Sequence, residues 1–167
     1  MATKTFKNYN EMKIYFDEVM RQVIESVSDK LLKDFRDHLD KTVYGAPTGE
    51  YVRYKDNGGF LSGWKISEDI SKKAQEYVRS LVFDGSLLIA PQDDMINSQM
   101  SHGGRDGSDI RELMAMVLNN IADNDYYSYN GGANYLEGNK GYWDSYISDL
   151  NDKVIGWFDG ELKKYGI

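Results

Sequence analysis

From Asn10 to Tyr44 the chain contains neither glycine nor proline, and its apolar residues recur at Met12, Phe16, Met20, Val23, Ile24, Val27, Leu31, Phe35 and Leu39. Intervals of three and four place these side chains on one face of an α-helix. Asn10 is a suitable N-cap, Glu11 complements the dipole in the first turn, and nothing interrupts the run before Gly45. The pattern predicts one helix about 45 Å long at about 1.5 Å per residue, too long for a small domain to bury along its whole length. Part of it is therefore expected to face another protein. The simpler alternative is an ordinary helix crossing a sheet, with Met12 and Met20 filling gaps. The spacing drifts too far from strict heptads for a coiled coil.

Gly45-Ala46-Pro47-Thr48-Gly49 ends the helical pattern and opens a loop. The next stretch, Tyr51 to Ile66, is the hub of the remainder. In it Tyr51, Arg53 and Lys55 alternate with Val52 and Tyr54. Asp56-Asn57-Gly58-Gly59 then forms the densest turn signal in the chain, and Phe60, Leu61, Trp64 and Ile66 supply large apolar surface. A chain reversal at 56–59 is predicted, with Trp64 as a core anchor. Between Lys65 and Arg79 the residues suit either a short helix or further strand, the β-formers being densest from Glu76 to Phe83. Asp84-Gly85, between Leu81-Val82-Phe83 and Leu87-Leu88-Ile89, predicts a hairpin. A helix is predicted at 110–121, capped by Ser108 or Asp109, with Ile110, Leu113, Met114, Val117, Leu118 and Ile121 on its apolar face. A closing helix is predicted from about Trp143 to Lys164, despite Gly156 and Gly160, each of which costs about 1 kcal/mol relative to alanine.

The 167 residues fit a single domain, with residues 1–8 as a flexible lead. A hydrophobic share of 41% lies well within the range of chains that fold. The net charge of −7 opposes binding to a phosphate backbone. The absence of cysteine excludes disulfides and thiolate metal sites and fits a reducing compartment. No apolar run approaches the length of a membrane span, and the first residues lack the apolar core of a signal peptide, so a soluble product made in the cytosol is expected.

No catalytic constellation is legible. Only two histidines exist. His38, on the charged flank of the first helix, is expected at the surface. His102 lies in a glycine-bearing loop beside Arg105, where Gly103, Gly104 and Gly107 would let backbone N–H groups converge on an anion, although the spacing of a phosphate loop is missing. In Asp123 to Gly131 the aspartates imitate a calcium loop, but Tyr127 and Ser128 occupy positions that need a ligand and a glycine. Neither a metal site nor a cofactor is expected. Thirteen tyrosines are the compositional oddity. Tyr15, Tyr77 and Tyr146 sit where core is expected, whereas Tyr126, Tyr127, Tyr129 and Tyr135 stand among Asn and Gly, as tyrosines do on contact surfaces. Residues 92–108 and 123–141 are thus candidate contact loops, with His102, Arg105 and those four tyrosines as candidate partner contacts.

Several of these pieces, in this order, resemble the tail-completion or head–tail joining family of tailed bacteriophages, minor tail components of the neck. The resemblance rests on the long first helix, on Gly58-Gly59-Phe60-Leu61-Ser62-Gly63-Trp64, on His102-Gly103-Gly104 before Asp109-Ile110-Arg111-Glu112-Leu113, and on the closing stretch from Gly141 to Ile167. The family's pattern has serine directly before the tryptophan, where Gly63 stands here. The resemblance implies an α+β fold in which the long N-terminal helix and C-terminal helices pack on a small antiparallel sheet. It also implies a non-enzymatic protein that forms a cyclic homo-oligomeric ring, a hexamer or dodecamer, between portal-side connector and tail tube proteins. DNA would be passing cargo through an acidic channel, no membrane would be involved, and assembly in the host cytoplasm would end in the virion. A glycan-binding or cell-wall-active virion protein is the alternative suggested by the Tyr/Asn/Gly loop.

Overall fold

The computed structural model describes residues 4–45, 58–73, 76–88, 115 and 142–167. Two long helices and a small antiparallel β arrangement make it an α+β fold. Helix α1 spans Tyr9–Leu39 and continues into a π-helical turn, Asp40–Tyr44, that carries Val43 into the core. Its N-cap is Asn8 rather than Asn10. The Asn8 side chain accepts from the Glu11 N–H at 2.9 Å, while the Glu11 carboxylate accepts from the Lys7 N–H at 2.8 Å. Two asparagines so close together offer the same chemistry, and only Asn8 has the Glu three residues on that this reciprocal arrangement uses.

Gly58 takes the left-handed backbone, φ 97°, that its turn signal demands. A 3-10 turn over Phe60–Gly63 then leads into β1, Trp64–Ile66, followed by β2 (Ser71–Lys73), β3 (Glu76–Val78) and β4 (Leu81–Phe83). Strand β1 pairs with β4, Lys65 opposite Val82, and β2 pairs with β3, Lys72 opposite Tyr77. Ser67 N–H donates to the Ser80 carbonyl, so the two ladders belong to one hairpin, interrupted where residues 68–70 stand against Arg79 alone. Among the described residues, the stretch ambiguous in sequence therefore forms short strands and no helix.

The Asp84-Gly85 hairpin is not formed. β4 runs back along β1, and Asp84 instead caps a 3-10 turn, Gly85–Leu87, accepting from the Ser86 N–H and hydroxyl. The same dipeptide chemistry that suits a hairpin turn also suits a cap, and here the partner strand of β4 precedes it in sequence. Gly63 lies under this turn. A Cβ there would stand 2.5 Å from the Phe83 ring and 2.9 Å from Leu88, so the position is packed for glycine.

The closing helix, α2, spans Tyr142–Lys164, one residue longer at its start than the sequence indicates. It runs antiparallel to α1: His38 meets Tyr142, Lys30 meets Glu161, and Gln22 accepts from the Tyr165 hydroxyl. The hairpin lies along another side of α1. Arg36 donates to the Trp64 carbonyl at 2.7 Å, and at the far end the Tyr77 hydroxyl donates to Asp17 beneath Arg21. Two apolar clusters result. One joins Phe35, Leu39, Val43, Phe60, Leu61, Trp64, Tyr142 and Tyr146; the other centres on Val19, Val23 and Val27, covered by Val154, Trp157, Phe158 and Leu162.

Candidate functional site

The most chemically loaded part of the described chain is the seam between α1 and α2. Apolar spacing places Phe35 and Leu39 on the same side of α1, and Tyr142 and Tyr146, one turn apart on α2, close over them with Tyr146 4.8 Å from the Phe35 ring. Burial raises the phenol pKa of both tyrosines above the ordinary value, so they stay neutral and act as packing and hydrogen-bonding groups. Tyr142 donates to the Ala115 carbonyl at 2.6 Å, which ties helical Ala115 to this cluster. Tyr142 lies one residue before the predicted helix start. Its periodicity with Tyr146 and Leu150 was the available signal for it.

His38 is not the solvated surface residue its charged neighbours suggest. Its Nε2 lies 2.9 Å from the Tyr142 carbonyl and 3.1 Å from the Ser145 hydroxyl, and its ring packs on Tyr146. Helical spacing from Phe35 and Leu31 turns it toward α2, an arrangement visible only once α2 is in place. Desolvation is the main reason its pKa falls below the ordinary histidine value, with Lys153 and Lys41 adding to the shift against the Tyr142 carbonyl and Asp34. A histidine beside a serine invites comparison with a nucleophile–base pair. A carbonyl only accepts, however, so Nε2 bonded to Tyr142 carries its proton, and the Ser145 hydroxyl itself points to the same carbonyl at 3.0 Å. This geometry fastens the start of α2; it leaves the serine without a base.

Farther along the seam Glu161 is 3% exposed yet charged. Lys164 and Lys30 both donate to it, at 2.7 and 2.6 Å, and hold its pKa down to about 2. Lys153 reaches Asp34 at 2.9 Å across the same seam. These pairs fix how the helices lie against each other, which the sequence could not show because Glu161 looks like any other charged residue near a helix end.

Past Gln22 toward its start, α1 is more open. Phe6 folds back against Tyr15 and Phe16, with ring centroids 5.4 and 6.2 Å away, and Lys4 lies over the Tyr15 ring. Even so, Tyr9 is 71% exposed, Ile14 67% and Phe16 39%. The outer side of α2 carries a second exposed pair, Ile147 and Ile155. Surface of this kind on helices otherwise well packed suits protein contacts.

Of the expected core tyrosines, Tyr146 is buried, while Tyr15 is half-buried against the valine cluster and Phe6, and Tyr77 against α1. The candidate contacts His102, Arg105, Tyr126, Tyr127, Tyr129 and Tyr135 lie outside the described residues, as do the contact loops 92–108 and 123–141 and, apart from helical Ala115, the predicted helix 110–121. Among the described residues no group of three or more histidines and carboxylates could hold a metal ion, and no helix is long and apolar enough to cross a membrane. No family model, curated protein or solved structure matches the chain.

Proposed function

We propose that this chain is a structural virion protein of a tailed bacteriophage, a ring-forming neck component that completes the tail or joins the head connector to it. The observation that carries the reading is the open amino-terminal stretch of α1, where Tyr9, Ile14 and Phe16 remain exposed on a helix whose other half is enclosed. A helix longer than its own domain covers supplies contact surface for a neighbour, as assembly into a ring requires. The resemblance of the order of sequence pieces to head–tail joining proteins supplies the rest of the argument. In this reading the protein acts by shape: copies enclose a channel, and their net negative charge lets DNA pass without adhering.

Electron microscopy of particles carrying a labelled copy tests the assignment. Label at the neck, and accumulation of tailless heads and free tails when residues 125–139 are deleted, is the expected result. Purified protein that binds or cleaves peptidoglycan, together with label absent from the neck, would overturn it in favour of a glycan-active role.

A further inference from the structure

Resting on the ring reading, we infer that the contact between neighbouring copies is heterologous: the amino-terminal end of α1 in one copy seats on the outer side of α2 in the next. A cyclic ring needs two different, mutually complementary patches on each chain, since one patch paired with itself yields a dimer. The described surface offers two such patches on separate helices.

On α1, Tyr9 and Phe16 are seven residues apart, two helical turns, and so share a side, with Lys13 between them. On α2, Ile147 and Ile155 are eight apart, again on one side, exposed by 44% and 61%. Charge distinguishes the patches and gives the contact its direction. Lys13 stands between Tyr9 and Phe16, with Lys4 and Lys7 just before them in the chain; of the three acids in residues 4–18, Glu11 and Glu18 fall on the opposite side of the helix, and Asp17, one turn past Lys13, accepts from the Tyr77 hydroxyl. Helix α2 carries four aspartates and Glu161 against three lysines: Lys153 pairs with Asp34, Lys164 with the buried Glu161, and Lys163 loosely with Asp159 at 3.9 Å, so the exposed side stays acidic. Of those aspartates, Asp152 and Asp159 lie seven apart beside Ile155. A basic patch with aromatic centres therefore faces an acidic patch with aliphatic centres. Like patches repel, which disfavours α1 against α1 and α2 against α2.

The test uses charge reversal in the full chain, read as mass by light scattering after gel filtration at low salt. All four positions are exposed, so each variant is expected to keep the wild-type circular dichroism and melting temperature. Lys7→Glu with Lys13→Glu, and separately Asp152→Lys with Asp159→Lys, should each weaken self-association about tenfold or more. Mixing the two variants should restore it, because each then meets a neighbour of opposite charge on both sides. High salt should weaken the wild-type assembly and the mixture alike. Wild-type assembly that both variants reproduce unaided would overturn this contact and leave the ring reading standing. A wild-type chain that remains a monomer, alone and with neck proteins present, would overturn both.

Discussion

At its carboxy-terminal end α1 is enclosed by the π turn, the 3-10 turn before β1, the β1–β4 ladder and the start of α2, whereas toward its amino terminus it meets the tail of α2 and Tyr77 of β3. The first region is built of rings. Trp64 alone touches Phe35 at 4.7 Å and Phe83 at 5.2 Å edge-on or tilted, and stacks on Trp143 at 6.1 Å. The second is built of three valines on α1 covered from one side by α2. Aromatic side chains bury more surface each and bring several elements together, so the fold's uniqueness is concentrated at one end. The valine end holds the helices together with less, and leaves Tyr9, Ile14 and Phe16 exposed.

That contrast can be tested by substitution. Trp64→Ala, at the centre of the rings, should lower stability by about 3–5 kcal/mol in a thermal or urea melt; a loss below about 1 kcal/mol would mean that the aromatic end is not the principal core. Val23→Ala, at the centre of the valine end and 0% exposed, removes two methyl groups' worth of burial, about 1.5 kcal/mol. A cost equal to that of Trp64→Ala would erase the distinction. Asn8→Ala removes the cap of the open end and should cost about 1 kcal/mol, with fraying seen as faster amide exchange over the first turns of α1 while Phe35 and its neighbours keep their protection.

Acid should separate the two ends without any substitution. His38 has its pKa lowered in the folded chain, so its contribution to stability is complete above its ordinary value near 6.5 and declines as pH falls below that. Glu161 has its pKa lowered to about 2, so its contribution is complete above its ordinary value of 4.5 and declines as pH falls from there toward 2. Melting temperature should therefore fall in two windows. His38→Asn should flatten the upper one and Glu161→Gln the lower, and an unchanged profile for either variant would remove that residue from the account.

The long helix, its end near Gly45, the burial of Trp64 and the extent of the closing helix are legible in the sequence because each depends on local periodicity or on a residue too large to leave exposed. Asp84-Gly85 shows where local reasoning stops: the dipeptide permits a hairpin turn or a cap, and the choice belongs to β1, whose strand ends at Ile66, well before Asp84 in the chain. The places of His38 and Glu161 are hidden from the sequence for a related reason. A polar side chain's burial depends on what crosses its helix, and both partners come from the other end of the chain. The candidate contacts in 92–108 and 123–141 rested on composition alone, which suggests what a loop could touch and gives no position for it.

The seam between α1 and α2 also has a consequence for how the chain reaches its fold. Its hydrogen bonds join residues 104 positions apart at His38 and Tyr142, and 143 apart at Gln22 and Tyr165. The loop entropy of closing such spans must be overcome before the contacts form, so folding is expected to be slow for a domain of this length. During synthesis at about 5–20 residues per second, α1 spends several seconds outside the ribosome with its valine and aromatic face uncovered. The hairpin is made of nearer contacts and docks on Arg36 and Asp17, so it is the first element able to cover the aromatic part of that face at Phe35, while the valines wait for α2.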